Sequence, residues 1–117
     1  MITGIGIDII ELSRIQKAIK RNKRFVDRIL TNEEKQHYET LTKERRKIEF
    51  IAGRFAAKEA FAKATGKGIG KLSFKHIEIL PNKLGAPEIT VQGFNKKTFL
   101  SISHSQDYAV AQVVITK

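Results

Sequence analysis

The chain opens on an alternation. Between residues 2 and 10, Ile5, Ile7 and Ile9 alternate with Gly6, Asp8 and Ile10, a period of two that predicts a strand. The period then lengthens. Over 12–30, Leu12, Ile15, Ala18 and Ile19 share one helical face, Asn22-Lys23 breaks the pattern, and Phe25, Val26, Ile29 and Leu30 restart it. Thr31 followed by Glu34 is a capping-box signature, so a short helix starts there. Thr42 is the expected cap of the next helix, the longest, which runs to about Thr65 and stops at Gly66. Beyond Gly70 the period of two returns. Strands are expected over 74–80 and 88–92, joined through 81–87, and over 98–103 and 108–115, the last two forming a hairpin turned at Ser105-Gln106-Asp107. A strand, then helices, then several strands predicts an α+β fold with a mainly antiparallel sheet, and 117 residues suit a single domain over 1–117.

Composition narrows the class of protein. Hydrophobic residues at 41% and charged residues at 29% fit a soluble globular chain. No apolar run approaches the roughly 18 residues of a membrane span, and the first residues lack the pattern of a signal peptide. With no cysteine there is no disulfide framework and no thiolate chemistry, so a cytoplasmic location is expected. Net charge is the outlier. Lys and Arg number 22 against 12 acids, a formal +10, which points to an anionic partner: nucleic acid, an anionic membrane or an acidic protein. Charge by itself puts a small nucleic-acid-binding module first.

Several residues could carry chemistry. Asp8 shares a strand face with Gly4 and Gly6, which leave room for a ligand to approach the backbone; the plainer reading is a turn hydrogen bond. Glu59 falls within the helical stripe of Ile48, Ile51, Ala52, Phe55 and Ala62, with Lys63 one turn on. It is either half of a surface ion pair or a partly buried carboxylate held for a cation. Two carboxylates suit Mg²⁺, and three scattered histidines without cysteine do not suit zinc. Gly66-Lys67-Gly68-Ile69-Gly70-Lys71 could turn backbone N–H groups to phosphate or could simply end the helix, and it matches neither a P-loop nor a dinucleotide-binding turn. Ser103 and His104 are strand neighbours on opposite faces, so they do not pair as nucleophile and base. Between 11 and 28, Arg14, Lys17, Lys20, Arg21, Lys23, Arg24 and Arg28 oppose only Glu11 and Asp27, which makes either a solvated face or a docking surface.

These pieces together resemble the bacterial holo-acyl-carrier-protein synthase family, 4′-phosphopantetheinyl transferases. The segments that carry the likeness are Gly4-Ile5-Gly6-Ile7-Asp8-Ile9-Ile10-Glu11 with Arg14, the highly specific block from Gly53 through Arg54, Lys58, Glu59 and Lys63 to Ala64, the glycine run, and Ser101-Ile102-Ser103-His104. The resemblance implies transfer of the phosphopantetheine arm of coenzyme A to a serine of an apo acyl carrier protein, in support of fatty acid biosynthesis, with adenosine 3′,5′-bisphosphate leaving. It implies Mg²⁺ on Asp8 and Glu59, with Glu59 and Lys63 as catalytic groups. Arg45, Arg46, Arg54, Lys63, Gly66, Gly68 and His104 would hold coenzyme A. Arg14, Arg21, Arg24, Phe25 and Arg28 would dock the acidic carrier protein, with Ala18 and Ala56 on the same partner face. A homotrimer with active sites between subunits is implied, with neither nucleic acid nor membrane as partner. An acidic protein thus replaces nucleic acid as the expected partner of the basic segment.

Overall fold

The computed structural model describes residues 1–68 and 73–117; Ile69, Gly70 and Lys71 of the glycine run lie outside the described residues. The elements follow the order β1 (Ile2–Glu11), α1 (Leu12–Arg21), α2 (Phe25–Ile29), α3 (Asn32–Thr40), α4 (Glu44–Thr65), a 3₁₀ turn (Phe74–His76), β2 (Ile77–Pro81), β3 (Pro87–Val91), β4 (Lys97–His104) and β5 (Tyr108–Thr116). The strands make an antiparallel sheet in the order β1-β5-β4 and a separate β2-β3 hairpin, an α+β arrangement.

Most elements lie where the sequence pattern puts them. Thr31 and Glu34 close a full capping box on α3, and Gly66 ends α4 in the left-handed region at φ 76°. Two expectations are corrected. Thr42 does not cap α4: Lys43 holds the N-cap position and offers no side-chain acceptor. The stretch 74–80 is not all strand, because the Ser73 hydroxyl accepts from the Lys75 N–H and tightens the first three residues into a 3₁₀ turn.

The long helix lies against the inner face of the larger sheet, and glycine makes that possible. A Cβ on Gly6 would lie 1.9 Å from the Ala60 carbonyl oxygen, and one on Gly4 2.2 Å from that of Ala64. The room beside Asp8 is therefore filled by α4, not left for a ligand. Burial on α4 also goes well beyond the expected stripe. Ile51, Ala52, Gly53, Ala56, Ala57, Lys58, Ala60, Phe61 and Ala62 are all buried, while Phe55 is only half-buried. Ala56 is fully enclosed, so it cannot lie on a partner face.

The outer face of the sheet is apolar and uncovered. Ile5, Ile7 and Ile9 remain 60%, 59% and 59% exposed, and Phe99 and Tyr108 join them across the register through Val114, Val110 and Glu11.

Candidate active site

Three residues converge where α4 meets β1. Lys63 and Glu59, one turn apart on α4, face Asp8. The Lys63 ammonium donates to Asp8 Oδ1 at 2.9 Å and to the Ile7 carbonyl at 3.0 Å. Burial pushes the Glu59 carboxyl up, the nearby charge of Asp8 pushes it further, and Lys63 offsets part of this. Two carboxylates thus repel each other, with one ammonium bonded to Asp8 and acting on both. That donor set fits Mg²⁺, which takes one or two carboxylates and completes its shell with water and phosphate oxygens. Among the described residues no group of three or more His, Cys, Asp or Glu gathers that could hold a metal, so an ion here depends on oxygens from elsewhere.

Gly66 and Gly68 follow at the end of α4, but not as free phosphate donors. The Gly66 N–H donates to the Lys63 carbonyl and the Gly68 N–H to that of Ala62, both part of the helix cap. Apart from their chain neighbours, no atom of the described residues lies within 4 Å of where a Cβ would stand on either glycine. They offer open approach instead of exposed amides.

A second cluster forms elsewhere. Arg54 and His104 line a cleft of about 180 Å³ with Pro81, Gly85, Pro87 and Ile102, and Asp8, Glu59 and Lys63 are not among its walls. Gly53 leaves space for this corner, since a Cβ there would meet His104 Nε2 at 3.3 Å. The His104 ring nitrogen Nε2 lies 3.2 Å from the Glu49 carbonyl, which fixes it as the N–H donor. Arg54 donates to the Ile79 carbonyl at 3.3 Å, and its guanidinium carbon stands 3.9 Å from the Phe50 ring centroid. Burial pushes Arg54 down, the Glu34 carboxylate pushes it back, and Arg46 adds to the lowering. Arg45 and Arg46 flank this corner, both bound to Glu49, and Arg45 Nη2 also donates to the Ser105 and Gln106 carbonyls. Burial opposes ionisation of Glu49, but the hydrogen bond from Arg46 and the charges of His104, Arg45 and Arg46 outweigh it and hold the carboxyl below its ordinary range.

The basic residues of the segment lie on the outside. Arg14, Lys17, Lys20, Arg21, Lys23, Arg24 and Arg28 are exposed, and none makes an ion pair among the described residues. Phe25 is half-buried, its ring centroid 6.4 Å from that of Phe55, so only part of it can meet a partner.

Sequence reasoning missed one ionic feature altogether. Glu34 and Lys58 are fully buried and bonded at 2.6 Å. The capping box accounts for one oxygen of Glu34; the other accepts the Ile79 N–H at 2.7 Å. A lysine set among Ala56, Ala57, Ala60 and Phe61 was the available signal, since an isolated ammonium among apolar neighbours requires a partner.

Comparison with known proteins gives a consistent result. A family model described as the 4′-phosphopantetheinyl transferase superfamily matches residues 4–113. A protein of Oceanobacillus iheyensis named holo-[acyl-carrier-protein] synthase is 60% identical over 98% of this chain and 97% of its own. The crystal structure of a holo-(acyl-carrier-protein) synthase from Bacillus anthracis, in complex with CoA (3′,5′-ADP), superposes with a TM-score of 0.90 at 50% identity, covering 98% of this chain and 96% of that one. The Helicobacter pylori holo-[acyl-carrier-protein] synthase in complex with coenzyme A gives 0.84 at 41% identity, with coverage of 96% and 99%.

Proposed function

The chain belongs to the 4′-phosphopantetheinyl transferase superfamily, as a holo-[acyl-carrier-protein] synthase that moves the phosphopantetheine arm of coenzyme A to an apo acyl carrier protein, and we propose how its own residues do so. The observation that carries the proposal is the convergence of Lys63 on Asp8 beside Glu59. Asp8 and Glu59 would hold Mg²⁺, which when bound neutralises and orients pyrophosphate oxygens. Lys63 adds a point charge at the same place. Arg54 supplies a planar fork and His104 a further polar contact for the phosphates of coenzyme A, with Arg45 and Arg46 beside them. These groups stand in place before substrate arrives, which is where electrostatic stabilisation acts most strongly.

The chemical step is attack by the carrier serine hydroxyl on the β-phosphorus of coenzyme A. Adenosine 3′,5′-bisphosphate leaves with the electrons of the broken P–O bond. Glu59 takes the serine proton.

Assembly belongs to the same proposal. The metal-side triad and the Arg54–His104 cleft do not share walls in one chain, and a second copy that brings its own cleft beside this triad would complete a site that uses both. The uncovered face of Ile5, Ile7, Ile9, Phe99 and Tyr108 is the surface such a copy would cover. Family resemblance supplies the number three. The basic surface from Arg14 to Arg28, with the edge of Phe25, receives the acidic carrier protein. No described helix is long and apolar enough to cross a membrane, and work in the cytoplasm, in support of fatty acid biosynthesis, completes the proposal. No observation favours nucleic acid.

The direct test incubates the protein with coenzyme A, Mg²⁺ and an apo carrier protein and reads the carrier by mass spectrometry. A gain equal to one phosphopantetheine arm is expected; an unchanged carrier mass would overturn the activity.

A further inference from the structure

Behind the Arg54 cleft lies a buried ionic network that the chemistry itself does not use. Glu34 Oε1 accepts from Lys58 Nζ at 2.6 Å and from the Thr31 N–H at 2.9 Å, and Oε2 accepts from the Ile79 N–H at 2.7 Å. Lys58 also donates to the Ile29 carbonyl at 2.7 Å. The carbonyl of that same Ile79 receives Arg54 at 3.3 Å. Ile79 is thus held through its N–H by Glu34 and through its carbonyl by Arg54. Phe50, Arg54 and Lys58 follow one another at four-residue steps on α4, so the network and the phosphate-binding fork share one helical stripe.

A fully buried ion pair adds little stability over an apolar pair of equal volume, because desolvating both charges offsets their attraction. What this pair does add is direction. From these contacts we infer that Glu34 is a positioning residue for coenzyme A binding: through Lys58 and the Ile79 peptide it fixes where the Arg54 guanidinium points. Arg54 Nε is buried without a hydrogen-bond partner among the described residues, so the guanidinium is aimed by its bond to the Ile79 carbonyl and by the Phe50 ring.

The inference rests on the proposal that Arg54 binds coenzyme A, and the experiment separates the two. Steady-state KM for coenzyme A, KM for carrier protein and kcat are measured for Glu34→Gln, for the apolar pair Glu34→Leu/Lys58→Met, for Arg54→Ala, and for Arg54→Ala combined with Glu34→Gln. Glutamine cannot accept from Ile79 and from Lys58 at once. Glu34→Gln should therefore raise KM for coenzyme A about tenfold, with kcat and carrier-protein KM changed by less than about twofold. The apolar pair removes both buried charges together; it loses some stability because the Ile79 N–H and Ile29 carbonyl are left unpaired, but its folded state should still show the raised KM. The double variant should be little worse than Arg54→Ala alone, since Glu34 acts through Arg54. If the apolar pair restores KM, or if the two effects simply multiply, Glu34 is structural and the inference falls. If Arg54→Ala itself leaves KM unchanged, the role given to Arg54 falls, and this inference with it.

Discussion

Gly6 and Ala60 touch backbone to backbone: a Cβ on Gly6 would sit 1.9 Å from the Ala60 carbonyl oxygen. That approach brings Asp8, two residues along β1, within reach of Glu59 and Lys63. Gly6→Ala must push α4 away from the sheet, because the atom in the way is backbone and cannot rotate aside. Overpacking typically costs about 1–3 kcal/mol, and a clash with rigid backbone falls at the upper end. Urea denaturation should show that loss, and any folded fraction should turn over much more slowly than wild type, since the metal-side triad moves with the helix. Wild-type stability in Gly6→Ala would contradict the packing described.

Glu59 should reveal itself without an activity assay. Its folded carboxyl is raised above the ordinary value of 4.5 by burial and by Asp8. The folded state therefore favours the protonated form. In metal-free buffer that contribution is complete below pH 4.5 and is lost as pH rises through the raised folded value. Glu59→Gln removes the penalty at neutral pH, so its Tm in chelator should exceed that of wild type. Adding Mg²⁺ should then raise the wild-type Tm and leave Glu59→Gln and Asp8→Asn nearly unmoved, because a ligand stabilises only the state that binds it. Transfer in both variants should fall by orders of magnitude. Equal Mg²⁺ shifts in all three proteins would remove the metal from these residues.

The uncovered sheet face sets the third test. Ile7 is 59% exposed at the centre of that face, opposite Gln112. Ile7→Asp should leave the fold of one chain intact, since its side chain touches little of the core. In an assembly the same carboxylate would be buried unpaired, at a cost of several kcal/mol. Light scattering at micromolar concentration should show wild type as a trimer and Ile7→Asp as a monomer, with activity lost alongside. A monomeric, fully active wild type would sink the shared-site proposal.

The sequence was most legible where local chemistry decides structure. The Thr31–Glu34 box, the left-handed stop at Gly66 and the Ser105–Asp107 turn are short-range signals, and all three stand. It was least legible where two distant segments meet. Nothing near Gly4 or Gly6 announces that their missing side chains serve the Ala60 and Ala64 carbonyls. Periodicity suggested a one-sided α4, whereas the middle of the helix packs against the larger sheet and against α1, α2 and α3, and its alanines permit that close packing. The partners of Lys58 come from 24 and 29 residues away, out of reach of any motif. Asp8 and Glu59 were paired from the sequence on their chemistry and family resemblance; their actual meeting depends on those same glycines.

The basic surface carries the last prediction. Arg24 and Arg28 are exposed on and beside the short α2, and neither makes an ion pair among the described residues. Exposed charges act mainly on encounter rate and partner choice. Arg24→Glu/Arg28→Glu changes the local charge by four and should repel an acidic carrier protein. Its KM should rise by about tenfold or more at low salt. Coenzyme A affinity should change little, because Arg54 and His104 stand in a cleft whose walls include neither residue. Salt separates this from a folding defect. Screening shortens the reach of these charges to about 8–10 Å at ordinary ionic strength. The wild-type KM for carrier protein should therefore rise with salt and the variant's should fall, so that the two converge. A double variant whose carrier-protein KM matches wild type at low salt would take this helix out of the docking site, and the excess positive charge would then belong to a different partner.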